Sequence, residues 1–456
     1  MNQSMTNDSL ATVLLTTGLA LPRSSDLRPF AAREWATIVR ALVAIEATPQ
    51  RLLNSSSDDL VRDLNLDQPV AERIVRLLDR AGLAAIELQR LADLGIWCLT
   101  KLDDAYPTRL KQRLPSTQSP SVLFGAGPRD LMARDGVAIV GSRNVAEAGL
   151  QFADQLGRRC ADDGLNAVSG AARGVDRAAM MGALDSGGTA IGVLADSLEK
   201  SIRARDVRQY LLDGQLVVVS SALPKDGFAV GRAMERNKYI YCLAEYAIVV
   251  ATDVETGGTW AGAVENLRND WVPLFVRAEP GSPPGNEKLL SGQSKGTRPP
   301  SPIAAVPGRH ELADWLRSNV RGAPVTLGLP WDTPPTSSPE RSVASIVEED
   351  KPTYNVEAAA QKPEVPDAEA TVRVDFFEVC WPHLGRLLQS PRSEAEILST
   401  SELLTKAQLK LWLETGLERG KLVRQGRPAR YSLAGEKASE HGSSKPEEQL
   451  SWSTSG

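Results

Sequence analysis

The chain has 456 residues, 42% of them hydrophobic and 24% charged, with a net charge of −5. That length fits two to four domains at roughly 100–200 residues each. The weakly acidic balance excludes a globally basic nucleic-acid binder, so any anionic partner has to be met by a local patch. Cys98, Cys160, Cys242 and Cys380 lie far apart, and the three histidines, His310, His383 and His441, come late. This spacing offers neither a disulfide framework nor a zinc site. No basic stretch leads into an apolar run at the N-terminus, and no apolar run reaches the ~18 residues of a membrane span. No membrane partner is expected, and a reducing cytoplasm is the expected location.

Residues 1–95 read as a small helical domain. "EWATIVRALVAI" and "VAERIVRLLDRAGL" place apolar residues three and four apart, and "NSSSDDLVRDL" between them offers Ser and Asp as N-caps. A SAM or helix-hairpin-helix module and a plain packing module both fit, although the hairpin's usual glycine is missing at Leu64-Asn65-Leu66. Residues 96–320 read as a Rossmann-like α/β domain. The runs "VAIVG", "NAVSG", "AIGVLA", "LVVVSS", "AIVVA" and "VPLFV" alternate with amphipathic segments, the pattern of a doubly wound, mostly parallel sheet covered on both faces. Ligands of such sheets bind outside the carboxyl ends of the strands. "HELADWLRSNV" reads as the closing helix of this domain.

Residues 279–370 carry 15 of the 29 prolines, and 321–370 read as a flexible linker. Residues 371–434 give three helices and then two short strands around Gln425-Gly426-Arg427-Pro428, the pattern of a winged helix. Residues 435–456 are expected to be a disordered tail.

Three glycine turns offer candidate anion sites. In the first, Gly141 ends a strand and is followed by Ser142 and Arg143, a hydroxyl and a guanidinium suited to phosphate. The second, "SGAARGVDRAA", supplies Gly170 and Arg173, with Asp176 as a partner for an arginine or an early-helix charge. The third joins Arg236-Asn237-Lys238, read as a polar cluster just before a helix, to Gly257-Gly258-Thr259 at the next strand end. Steric need in tight turns is the competing explanation for each glycine alone. There is no G-x-x-x-x-G-K-[ST], no dinucleotide fingerprint with its acidic partner, and no histidine within the α/β region. No catalytic residue, metal or cofactor is therefore assigned. A string of phosphate rests suits a polyanion.

In order and spacing, "VAIVGSRNVAEAG", "VSGAARGVDRAAMMGALDSGGTAIGVLA", "RNKYIYCLAEYAIVVAT", "TGGTWAGAVE" and "PPGNEKLLSGQ" resemble the DNA-processing protein A (DprA/Smf) family. The resemblance covers about Leu91 to Gly292. It implies a single-stranded DNA-binding protein rather than an enzyme, acting in natural transformation and recombination by loading the RecA recombinase, and commonly dimeric. It implies that Ser142 and Arg143 hold a backbone phosphate and that Gly170 and Arg173 form the neighbouring pocket. It also matches Arg236, Asn237 and Lys238 to the family's Arg-Asn-Arg run, and Gly257, Gly258 and Thr259 to its Ser-Gly-Ser-type loop. The chain is a divergent member: Met180 stands for the usual histidine, Ala222 for the usual acidic residue, and "SIRARDVRQY" for Tyr-Pro-x-x-Asn.

Charge counts localise the expected contacts. Residues 136–278 hold 15 Lys and Arg against 17 Asp and Glu, so DNA binding requires arginines gathered at one edge. Residues 371–433 hold 10 against 7, with Lys421, Arg424, Arg427 and Arg430 in the wing as candidate phosphate contacts; a protein-binding wing fits equally. Two other classes remain open. "ETGGTWAGAVENL" is similar to the loop of the LOG-family phosphoribohydrolases, with Glu265 as the acting carboxylate, although its spacing from Gly257 is one residue too long; a small-nucleotide sensor falls under the same heading. An adaptor that works mainly through the winged helix is the other.

Overall fold

A nine-stranded sheet organises the larger part of the protein. The structure, a computed structural model, describes residues 5–22, 25–292, 298–321, 375–400, 406–426 and 428–434. The expected linker beyond residue 321, the expected tail and Arg427 lie outside these residues.

Six helices, α1 (Asn7–Thr16), α2 (Ala32–Ala44), α3 (Ser57–Leu64), α4 (Gln68–Leu78), α5 (Ala81–Asp93) and α6 (Thr108–Arg113), precede the parallel part of the sheet. Its strands are β1 (Ile96–Thr100), β2 (Val122–Ala126), β3 (Gly136–Gly141), β4 (Asn166–Ser169), β5 (Thr189–Val193), β6 (Leu216–Ser220), β7 (Tyr246–Ala251), β8 (Leu274–Arg277) and β9 (Ser301–Ile303). They lie in the order β1-β2-β6-β5-β4-β3-β7-β8-β9. From β3 to β9 every pairing is parallel, while β1 and β2 extend the sheet antiparallel beyond β6. The protein is thus α/β with a Rossmann-like, mostly parallel sheet. The six apolar runs of the sequence form β3 to β8. Their residues are buried on both faces, which is why they read as near-continuous Val, Ile and Ala. Val140, Val168, Ile191 and Val249 pack with Tyr239 and Trp260 on one face; Val137, Ile139, Ile248 and Phe275 pack with Phe152 and Leu156 on the other.

The remaining helices of this part are α7 (Glu147–Asp162), α8 (Val175–Asp185), α9 (Leu198–Ser201), α10 (Arg205–Leu212), α11 (Val230–Cys242), α12 (Gly257–Asn269), α13 (Pro284–Leu290) and α14 (Leu312–Ser318). α7 and α8 cross at backbone distance. A Cβ on Gly157 would lie 2.0 Å from the Ala179 carbonyl oxygen, and one on Gly182 would lie 2.2 Å from that of Asp154. Two glycines facing each other across the crossing set how close the helices come.

The chain steps from β3 through β4 and β5 to β6 on one side, then returns to place β7 on the other side of β3. That reversal opens a crevice at the carboxyl ends of β3 and β7, the usual ligand position in open α/β sheets.

Within the described residues, 5–79 and 90–321 form one compact unit, and 80–89 with 375–434 form another. The boundary expected after residue 95 therefore does not coincide with a break between units. The physical reason is that α1 docks beside β1: Ser9 Oγ lies 2.9 Å from Thr100 Oγ1 and donates to Asp103 Oδ1 at 3.0 Å. Ser56 caps α3 by accepting from the Asp59 amide, and Asn65 ends that helix in the left-handed region, φ 49°. Asparagine there takes the conformation for which glycine is the more common residue.

In the second unit, α15 (Phe376–Leu387), α16 (Glu394–Thr400) and α17 (Lys406–Glu418) lead into an antiparallel hairpin, β10 (Leu422–Gln425) with β11 (Arg430–Leu433). Leu384, Ile397, Leu409, Trp412 and Tyr431 form its core together with Ala85 and Ile86. Among the described residues, no helix is long and apolar enough to cross a membrane. Among the same residues, no group of three or more His, Cys, Asp or Glu is placed to hold a metal.

Candidate functional site

The turns after β3, β4 and β7, with the first turns of α11 and the start of α12, enclose a cavity of about 340 Å³ at the crevice. Each glycine turn contributes in a different way.

At Gly141 the glycine is needed for packing. A Cβ there would meet Val175 Cγ2 at 2.5 Å. Gly174, at φ 88°, lies so close that its Cβ would sit 2.6 Å from the Ser142 carbonyl oxygen. The two turns pack backbone against backbone, so for these residues the steric explanation accounts for the glycines. Asp176, seven per cent exposed, sits beneath them. Burial pushes its carboxyl above the usual carboxylate range, while the nearby Arg236 guanidinium, the Ser169 hydroxyl and the Gly141 and Ala172 amides pull the other way.

At Gly170 the reason is a side chain. A Cβ there would fall 1.7 Å from Arg236 Nη1 and 2.6 Å from Asp176 Oδ2, so glycine makes the room in which the guanidinium lies. Arg236 is seven per cent exposed, and its Nε has no hydrogen-bond acceptor. Burial lowers its pKa, Asp176 opposes that, and Arg143 adds to it. A buried cation with an unsatisfied donor is costly unless something completes it.

The third turn opens α12. Thr256 occupies the N-cap without a side-chain hydrogen bond, so the amides of the first turn carry no cap. Asn237 Nδ2 donates to the Gly258 carbonyl at 3.0 Å and ties α11 to this turn. Gly257 takes φ 81°.

Of the residues singled out in the sequence, Gly141, Ser142, Arg143, Arg236, Asn237, Gly257, Gly258 and Thr259 line the cavity. Gly170 lies beneath Arg236, and Arg173 is exposed outside the lining. Lys238 does not line it either; its Nζ lies 5.6 Å from the Tyr239 ring centroid. The cluster expected before a helix sits inside α11, in its second and third turns. At 100° per residue, two residues on from Arg236 a side chain points away from the cavity. Glu265 lies on α12 outside the lining, so the cavity holds no carboxylate at the position the phosphoribohydrolase reading requires. In the hairpin of the second unit, Lys421 Nζ contacts Glu378 at 2.5 Å and Arg430 contacts Glu396 at 2.6 Å. Arg424 is exposed and has no ion-pair partner among the described residues, and Arg427 lies outside them.

Three lining residues carried no signal in the sequence. Phe228, Val230 and Met234 are 49%, 69% and 41% exposed. Arg143 Cζ lies 5.3 Å from the Phe228 ring centroid.

The raised carboxyl of Asp176 carries a prediction. Deprotonated, it competes with an incoming anion for Arg236; protonated, it does not. Because burial raises its pKa, the neutral form is reached on the acid side at a higher pH than for an ordinary carboxyl. Affinity for an anionic ligand is expected to rise as pH falls from about 8 to about 5, by roughly tenfold at most. Asp176→Asn should flatten that profile in a titration at constant ionic strength.

Comparison with known proteins bears on the same region. Residues 97–276 match the family model of DNA recombination-mediator protein A. The DNA processing protein DprA of Streptococcus pneumoniae is 31% identical over 198 residues, 43% of this chain and 64% of that protein. A Mycobacterium tuberculosis protein, named as a DNA processing protein DprA, is 29% identical over 204 residues, 41% of this chain and 52% of that one. The matched segment therefore spans just under two thirds and about half of these relatives. The X-ray structure of the S. pneumoniae protein superposes with a TM-score of 0.49 at 21% identity, covering 68% of this chain and 98% of that one. The Helicobacter pylori DNA processing protein A, whose structure concerns its single-stranded DNA binding mode, gives 0.39 at 22% identity, covering 49% and 97%.

The region is thus a recombination-mediator domain on a Rossmann-like sheet. Through it, the chain belongs to the DNA-processing protein A family.

Proposed function

We propose that this protein binds single-stranded DNA across the cavity at the carboxyl ends of β3 and β7. One observation carries the reading: Arg236 is buried at the cavity with an Nε that nothing in the described chain satisfies, facing the same space as the uncapped start of α12. A phosphate supplies the missing acceptor, and the helix end favours its charge. Arg143 at the rim adds a second, exposed cation. Family membership and the names of the relatives support DNA as the polyanion.

Phosphate contacts make affinity fall with salt. Binding to a fluorescent oligonucleotide is expected to weaken steeply between about 50 and 200 mM salt. Arg143→Ala should cost roughly tenfold, about 1.4 kcal/mol. Lys238→Ala, whose side chain lies outside the lining, should stay within about twofold, as surface substitutions usually do. Affinity indifferent to salt and to Arg143→Ala in an anisotropy titration overturns the reading.

We infer that the setting is the one the family resemblance implies, DNA uptake and recombination with hand-over of the strand to RecA. Stimulation of RecA-dependent strand exchange by the wild type, and its loss in Arg143→Ala, tests that step. We further infer a winged helix in the second unit from three helices followed by a hairpin. With Lys421 and Arg430 paired to glutamates, Arg424 is its best phosphate contact within the described residues.

A further inference from the structure

The start of α11 is built the wrong way round for a helix that only packs. Its buried residues are Arg236, Tyr239, Ile240, Tyr241 and Cys242, all in its second half. Val230 and Met234, one turn apart, are turned toward the cavity mouth and left exposed. Phe228, just before the helix, continues the same apolar strip. Among the described residues it is the one exposed aromatic side chain. A cluster of exposed large apolar side chains inside a concave, cationic site indicates a ligand with an apolar face.

We propose that Phe228, backed by Val230 and Met234, is a stacking shelf for one unpaired nucleobase, and that Arg143 holds the phosphate beside it. This rests on the single-stranded DNA reading and adds a base contact that none of the glycine turns supplies. The chemistry fits from two sides. A planar base has a π-face that an aromatic ring accepts whatever the sequence. The Arg143 guanidinium, 5.3 Å from the ring centroid and without an ion-pair partner among the described residues, places a cation one step from that face. An anion alone would leave the apolar strip bare, and an apolar ligand alone would leave Arg143 and Arg236 without partners. A nucleotide of an open strand satisfies both. In a duplex the bases are stacked on each other and offer no free face, so the shelf also selects single strands.

The test uses the full chain and three fluorescent probes: a single-stranded oligonucleotide, a strand of the same length with abasic sites throughout, and the duplex. Phe228→Ala and Phe228→Leu are expected to weaken binding of the ordinary strand at least fivefold, the low end of base–aromatic stacking. Phe228→Trp should keep it. On the abasic strand, wild type and Phe228→Ala should bind alike, because the phosphates are unchanged. Phe228 is half exposed, so thermal unfolding should show all three variants folded. Equal affinity of wild type and Phe228→Ala for the ordinary strand, with salt-sensitive binding intact, overturns the shelf and leaves the DNA reading standing. Failure of the wild type to bind any strand overturns both.

Discussion

Gly170→Ala is expected to reduce single-stranded DNA affinity at least tenfold, about 1.4 kcal/mol, although it removes no charge and no donor. The added methyl would lie 1.7 Å from Arg236 Nη1, a separation no real contact allows. What must yield is the far end of a long side chain beside an open cavity, so the guanidinium moves and the sheet does not. Gly170 is not in the left-handed region, so alanine fits its backbone. The unfolding midpoint should therefore change little, while the buried donor is carried out of register with a phosphate. A charge-assisted hydrogen bond of this kind is worth about 1.5–3 kcal/mol. Arg236→Ala should lose a similar amount, and Gly170→Ala added to it should lose little more, because both act on one contact. Anisotropy titrations of the two single variants and the double variant give the answer. Additive losses sink the explanation.

The same substitution elsewhere should act on the fold. Gly157→Ala places a methyl 2.0 Å from the Ala179 carbonyl oxygen, and here the neighbour is backbone in a packed helix. α7 and α8 have to separate. Overpacking of this kind costs about 1–3 kcal/mol, and the gain in helix propensity, about 1 kcal/mol, offsets part of it. The expected result is a thermal midpoint lower by roughly 2–8 °C. Gly231→Ala, in the first turn of α11 with nothing within 4 Å of the new methyl, should instead leave stability equal or raise it by about 0.5–1 kcal/mol. Two glycines in helices, changed identically, are expected to move the midpoint in opposite directions.

Much of this architecture was legible in the sequence. β3 to β8 are short apolar runs because both faces of each are covered, and that leaves a continuous signature. β1, β2 and β9 left none. "IWCLT" and "VLFGA" mix large and small residues, since a Cβ on Gly125 would lie 2.3 Å from the Trp97 ring, and "SPI" is three residues with a proline. The site was partly legible. Glycine at a strand end marked Gly141, Gly170 and Gly257, but not what each glycine is for: backbone packing at Gly141, room for Arg236 at Gly170, a positive φ at Gly257. Arg236, Asn237 and Lys238 looked equivalent as a run. Their separation follows only once α11 is known to begin at Val230, which fixes the phase. Phe228 was not found because what distinguishes it is exposure. Hydrophobicity in a sequence suggests burial, and a site that keeps an aromatic ring in water reverses that inference.

The far side of the sheet bears on how two copies of this chain can meet. β9 ends the sheet with three residues, and Pro302 stands in its middle, beside Val276. Proline has no amide hydrogen, so a further strand laid along this border finds a gap in its ladder. Ser301 Oγ also donates to the Asn319 carbonyl and accepts the Arg321 amide, which keeps the chain after α14 against the same border. Growth of the sheet by strand addition is blocked there. Self-association that adds backbone to backbone would run on without limit; association through side-chain surfaces can stop at two. If the protein pairs with itself, the β9 border is expected to take no part.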